Sequence, residues 1–150
     1  MGKRLLTVLA VIAFLSGVVF SSLGGAADKQ EAPATIEILS KLWKDHTKGP
    51  VKFEHKKHQE DYKIKCVECH HVIKDGKNVW KEGDKVQLCM ECHNEPTIKG
   101  EKKLPKDKQK LNLKLAYHGN CQGGHKDLKK KDKAKYGKIP TTCIQCHPKQ

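Results

Sequence analysis

Little in this sequence can build a conventional hydrophobic interior. Only 5% of its 150 residues are aromatic. Two of its three phenylalanines, Phe14 and Phe20, sit in an N-terminal apolar run, so the remainder keeps Phe53, Trp43, Trp80 and three tyrosines, diluted in lysine. A chain so charged and so poor in large apolar side chains would on its own stay disordered. Something other than side chains must supply the interior. Methionine is scarcer still, since only Met90 remains once Met1 is lost. Long apolar stretches are missing too: the one run, Leu5 to Phe20, is shorter than the ~20 residues that span a bilayer, which argues against a membrane helix.

What that run carries instead is a secretory signal. Lys3 and Arg4 precede it and Ser21-Ser22-Leu23-Gly24-Gly25-Ala26-Ala27 follows, the order of a signal peptide over residues 1–27 with cleavage after Ala27. No cysteine follows the cleavage point to take a lipid. The expected mature chain is one domain, residues 28–150, in the bacterial periplasm and with no stable membrane anchor. Cleavage removes two of the thirty basic residues and none of the seventeen acidic ones, which lowers the net charge from +13 to +11. A basic protein in that compartment has little nucleic acid to meet, and its partners are acidic protein surfaces or anionic membrane surface.

Seven cysteines in an oxidising compartment would ordinarily form a disulfide framework. Their spacing argues otherwise. Six fall in three copies of C-x-x-C-H: Cys66-Val67-Glu68-Cys69-His70, Cys89-Met90-Glu91-Cys92-His93 and Cys143-Ile144-Gln145-Cys146-His147. This is the attachment signature of c-type haem. On one helical turn residues i and i+3 share a face, so two thiols reach the two vinyl groups of one porphyrin, and the following His offers a nitrogen to iron. One copy alone would be compatible with a thioredoxin-like redox pair or half a zinc site; three copies, each followed at once by His, are not.

The other histidines form a second pattern. His55 and His58 are three apart, so on a helical turn they point to one side and can reach two neighbouring irons. His71 directly follows His70, and adjacent helical side chains diverge by ~100°, so one turn would serve two haems. His118 follows Leu111 and Leu115 at helical spacing, on the apolar face of a short segment. Met90, enclosed between Cys89 and Cys92, is badly placed for His/Met ligation, which raises haem potential. All haems are therefore expected to be His/His, low in potential and six-coordinate. With no open iron position, the sequence argues against an enzyme acting on oxygen, nitrite or peroxide and for electron transfer.

Cys121-Gln122-Gly123-Gly124-His125 keeps the motif's Cys-to-His distance but has Gly124 where the second cysteine would stand. It reads as a degenerate fourth site held by one thioether, against the alternative of a free cysteine beside a surface histidine. With it, eight histidines make four bis-His haems and only His46 is left over.

At this point the pattern resembles the class III multihaem cytochromes c, the tetrahaem cytochrome c3 family, over essentially the whole mature chain. Val51-Lys52-Phe53-Glu54-His55-Lys56-Lys57-His58 is similar to that family's V-x-F-x-H-x-x-H opening, and Cys66 to His71 to its C-x-x-C-H-H. The resemblance implies four sites. Haem I takes Cys66, Cys69 and His70 with His55; haem II takes Cys89, Cys92 and His93 with His71. Haem III takes Cys121 and His125 with His58; haem IV takes Cys143, Cys146 and His147 with His118. Trihaem relatives lack the second haem segment, which is present here. The implied fold is a compact class III arrangement organised around its haems, mostly irregular, with short α-helices and a small N-terminal β-hairpin. The implied partners are acidic redox proteins: periplasmic hydrogenase, formate dehydrogenase or membrane-bound cytochrome complexes of anaerobic respiration.

Residue patterning adds further expectations. Pro33 to Pro50 is a lead-in, helical from Thr35 to Lys44, after which Gly49-Pro50 turns the chain into an extended Val51–Phe53. Asp75-Gly76, Gly83-Asp84 and Gly100 mark loops. The lysines between Lys126 and Lys135 are a solvated helix face or, on the sharper reading, a docking patch. Terminal reduction of metal ions is an alternative function that uses the same residues. A zinc or disulfide-stabilised structural protein is the alternative from another class, and it would be colourless.

Overall fold

Ile36-Glu37-Ile38 and Val51-Lys52-Phe53 alternate apolar and charged residues, and they pair as an antiparallel hairpin of β1 (Ile36–Ile38) and β2 (Val51–Phe53). The register sets Ile36 opposite Phe53 and Ile38 opposite Val51, with Glu37 facing Lys52 as an opposite-charge pair. The computed structural model describes residues 31–148; the expected signal peptide lies outside the described residues. The hairpin corrects one expectation. Thr35 to Lys44 is not helical, because the Ile-Glu-Ile alternation finds a partner strand, and the chain after it turns with the Ser40 hydroxyl accepting from Leu42 N at 3.1 Å.

A second hairpin, β3 (Ile73–Lys74) with β4 (Lys77–Asn78), closes over Asp75-Gly76, whose φ values of 49° and 74° suit a two-residue turn. The helices are short: α1 (Cys89–Cys92), α2 (Lys106–Leu111), α3 (Leu113–Tyr117), α4 (Gly124–Lys131), α5 (Lys133–Tyr136) and α6 (Cys143–Cys146). Wide helical turns cover Lys57–Asp61 and His118–Gly123, and tight ones cover Cys66–Glu68 and Glu101–Lys103. Local chemistry ends or begins several of them. Gln145 Oε1 reaches back to the start of α6, accepting from Thr142 N at 3.1 Å and from the Thr142 hydroxyl at 2.9 Å. Asp132 breaks the lysine run into two helices, its carboxylate accepting from Lys135 N at 2.9 Å.

Asn112 interrupts what the sequence suggested as one apolar helical face from Leu111 to His118. It caps α3, accepting from Leu115 N at 2.9 Å, so Leu111 ends one helix while Leu115 lies in the next and His118 opens the wide turn after it. Among the described residues the only buried hydrophobic side chains are Trp80 and Leu113, and the only buried polar residues are Ser40 and Asn112. The expected architecture of short helices, a small hairpin and much irregular chain is the one found.

Candidate functional site

Folding gathers eight of the nine histidines into four facing pairs. Ring centroids lie 6.2 Å apart for His55 and His70, 5.8 Å for His71 and His93, 6.3 Å for His58 and His125, and 6.5 Å for His118 and His147. Each pair contains the histidine of one motif or of the degenerate segment. Adjacent residues His70 and His71 face different partners, as do His55 and His58, so pairs I, II and III form one connected group. Phe53 lies between the last two, 5.8 Å from the His55 ring and 4.7 Å from that of His58. His46 belongs to none of the four pairs.

Four of these rings are oriented by backbone carbonyls. Nδ1 donates to Glu54 O from His58 at 2.8 Å, to Lys110 O from His93 at 2.9 Å, to Pro140 O from His125 at 2.6 Å and to Gly49 O from His147 at 2.9 Å. A carbonyl oxygen only accepts, so the proton sits on Nδ1 and Nε2 keeps its lone pair. Burial, and then neighbouring His55 and His71, hold His70 below the ordinary histidine range. Burial, then Lys114 and His147, do the same for His118. Both therefore favour the neutral, ligating form at neutral pH. His55 Nδ1 is buried with no hydrogen-bond partner among the described residues.

Sequence reasoning missed the residues that hold these rings in place. Asn78 ties the second hairpin to the first motif, donating to His70 O at 3.2 Å while its own oxygen accepts from Val72 N and Trp80 N; Trp80 then lies against the His70 ring, 5.1 Å between centroids. Asn112 bonds to the Glu95 and Thr97 backbone and to the Glu95 carboxylate. That fixes the stretch after His93 against the α2–α3 junction, where Lys110 O meets the His93 ring. Gly49 serves His147. A Cβ at Gly49 would lie 2.8 Å from Pro148 O, so only glycine lets the chain end approach. Gly49→Ala is expected to cost about 1–3 kcal/mol in a denaturant melt, and an unchanged midpoint would show that Pro148 moves freely. A helix-capping Asn and a Gly before a Pro were the only sequence signals for these positions.

The thiols converge as the rings do. All seven cysteines are free of disulfides. Burial pushes the Cys121 thiol up to about 11, followed by smaller effects of Cys69, Cys146 and Cys89, one from each of the three complete motifs. Tyr117 and Cys69 are also raised, mainly by burial. Met90 is occupied elsewhere, its sulfur accepting from the Ser40 hydroxyl at 3.9 Å.

The donor set comes in twos. Among the described residues no three of His, Cys, Asp and Glu converge as a zinc site requires. Two imidazoles on one metal, with bonds of about 2 Å each and a ring radius of about 1 Å on either side, put their centroids roughly 6 Å apart. The four pairs match that span, and each neighbours a motif thiol, so the residues present fit a haem c with two axial histidines. A profile of the class III cytochrome c family matches residues 27–147. The chain belongs to the class III cytochrome c family. It is similar to the cytochrome c3 of Maridesulfovibrio salexigens, with 33% identity over 126 residues, covering 80% of this chain and 98% of the relative. It is also similar to that of Desulfovibrio desulfuricans, with 31% identity over 127 residues, covering 79% and 98%. This class III cytochrome is accordingly a multihaem electron-transfer protein with covalently bound haem c.

The lysine run needs one adjustment. Lys129 is half-buried and donates to Thr141 Oγ1 at 3.1 Å, so it braces the fold. Lys130, Lys131, Lys133 and Lys135 are exposed.

Proposed function

We propose that this cytochrome holds four bis-histidine haems and relays electrons in the periplasm. Its donor would be a hydrogenase or formate dehydrogenase and its acceptor a membrane-bound or soluble cytochrome complex of anaerobic respiration. The observation that carries the reading is the set of four histidine pairs. Site I would use Cys66, Cys69, His70 and His55; site II Cys89, Cys92, His93 and His71; site III Cys121, His125 and His58; site IV Cys143, Cys146, His147 and His118. A bound haem supplies one reversible one-electron couple. The chain fixes the tautomer of the ring at each carbonyl-bonded histidine, would supply two histidines to each iron, and sets neighbouring sites close through His70-His71 and the Phe53 contact. With every iron so held the protein would act as a carrier rather than an enzyme. Denaturing mass spectrometry of the mature chain starting at Asp28 should give four haem masses; three, with a titratable thiol at Cys121, would remove site III.

Full axial ligation predicts that the native reduced protein at neutral pH does not bind carbon monoxide. A strong shift of the Soret band under the gas would reveal an open position.

Docking rests on Lys130, Lys131 and Lys133, exposed on α4 and α5, which follow Lys129, the lysine that reaches Thr141. Positive potential there speeds encounter with an acidic partner. Reversing these three to Glu should slow reduction by an acidic redox protein about tenfold at low salt and little at high salt, where the field is screened. Equal rates at low salt would return them to solvated surface, and faster reduction of a soluble metal ion than of any protein partner would favour the metal-reducing role.

A further inference from the structure

Site III differs from the other three in ways that point in one direction. It has one cysteine, because Gly124 stands where the second would be. It is the pair in which both rings are bonded through Nδ1 to carbonyls, His58 to Glu54 O and His125 to Pro140 O. Its rings are also near parallel, with 18° between planes against 66°, 79° and 75° for pairs I, II and IV.

The two carbonyls are supplied differently. Glu54 lies one turn before His58, so that bond is local. Pro140 is fifteen residues from His125 and has to be brought to it. Two side chains do this: Gln122 Nε2 donates to Thr141 O at 2.9 Å and Lys129 Nζ donates to Thr141 Oγ1 at 3.1 Å. Both are half-buried, and Gln122 lies inside the degenerate motif itself. Together they clamp the Pro140–Thr141 segment from either side of His125, on the turn before it and on the helix after it.

We propose that Gln122 and Lys129 are positioning residues that take over the work of the missing thioether at site III. This rests on the four-haem reading. Two thioethers fix a porphyrin against its helix; one leaves it free to swing about a single link. Axial rings held in a preset orientation restore the constraint from the iron side, since ligands already ordered lose less entropy on binding. The clamp holds Pro140 O, Pro140 O holds the His125 ring, and the ring stays parallel to His58.

The test compares the whole holoprotein with Gln122→Ala/Lys129→Met, which removes both donors and keeps the lysine's apolar stem. Parallel imidazoles donate into the same iron d orbital and separate it from its partner, whereas perpendicular ones leave the two nearly equal. The ferric wild type should therefore show one rhombic low-spin paramagnetic resonance signal and three of much larger anisotropy, with four irons per chain. In the double variant the rhombic signal should shift or vanish while the other three persist. Bis-histidine ligation at site III, read as a low-spin to high-spin change with the haem still attached at Cys121, should be lost about tenfold faster under mild denaturant, the effect of removing roughly one net hydrogen bond's stabilisation. Adding Gly124→Cys should restore the slower wild-type loss of ligation, because a Cβ there meets nothing within 4 Å and the backbone is already helical at φ −55°, ψ −44°. Four irons with an unchanged rhombic signal in the double variant would overturn the proposal and leave the four-haem reading standing. Equally accelerated loss of ligation at all four sites, or no rescue by Gly124→Cys, would also overturn it, as a general folding role. Three irons in the wild type would remove the four-haem reading and this inference together.

Discussion

Serine at Cys66, Cys69, Cys89, Cys92, Cys143 and Cys146 should yield a chain that melts without a cooperative transition, the whole folding stability of an ordinary domain, roughly 5–15 kcal/mol, being lost. The reason lies in the interior. Only Trp80 and Leu113 are buried hydrophobics among the described residues. Burying one leucine stabilises by about 1.5–3 kcal/mol, while fixing the backbone of a single residue costs about 1–2 kcal/mol. Side chains alone therefore cannot order a domain of this length, and the covalent haems are structural as well as electronic. The check is a thermal scan by circular dichroism of the serine variant beside the holoprotein; a sharp transition in the variant would show that the polypeptide folds unaided.

Asn112→Ala should be the most damaging single substitution away from the cysteines and histidines. Its side-chain nitrogen reaches Glu95 Oε2 at 2.6 Å, Thr97 O at 2.8 Å and Glu95 O at 3.3 Å, and its oxygen accepts from Leu115 N at 2.9 Å. The residue is fully buried, so alanine orphans those partners and removes the cap of α3 at once, for about 3–5 kcal/mol. A pH signature accompanies it. The Asn112 hydrogen bond first, then that of the Thr97 hydroxyl, hold the Glu95 carboxyl below its ordinary range. Its folded value is thus below its unfolded one, and its contribution is complete above the ordinary carboxylate range and lost as pH falls through the lowered folded value. Urea midpoints measured down through acid pH should lose part of that slope in Asn112→Ala. A variant with the wild-type slope and midpoint would mean that the network is decorative.

What could be read from the sequence was chemistry with a fixed spacing. The three C-x-x-C-H runs, the Cys121 to His125 remnant and the scarcity of methionine are local, and each carries its meaning wherever the chain goes. The histidines that the family resemblance coupled lie next to one another in the fold. The missed features depend on residues far apart in sequence. Ile36 to Ile38 looks like the start of a helix until Val51 to Phe53 is beside it. Lys129 looks like one more solvated lysine until Thr141 comes within reach, and Gly49 is an ordinary turn residue until Pro148 packs against it. Asn112 was the nearest to legible, since asparagine favours helix starts, but the apolar spacing of Leu111, Leu115 and His118 argued for one continuous helix and concealed the break.

The bond from His147 to Gly49 joins positions 98 residues apart. Pairs I and II are complete well before His147 is made, whereas the carbonyl at Gly49 has to wait for that ring. His147 therefore acts as a latch on the turn that leads into β2. A product cut just before His147 would lose more than a histidine: it would leave that turn unfastened.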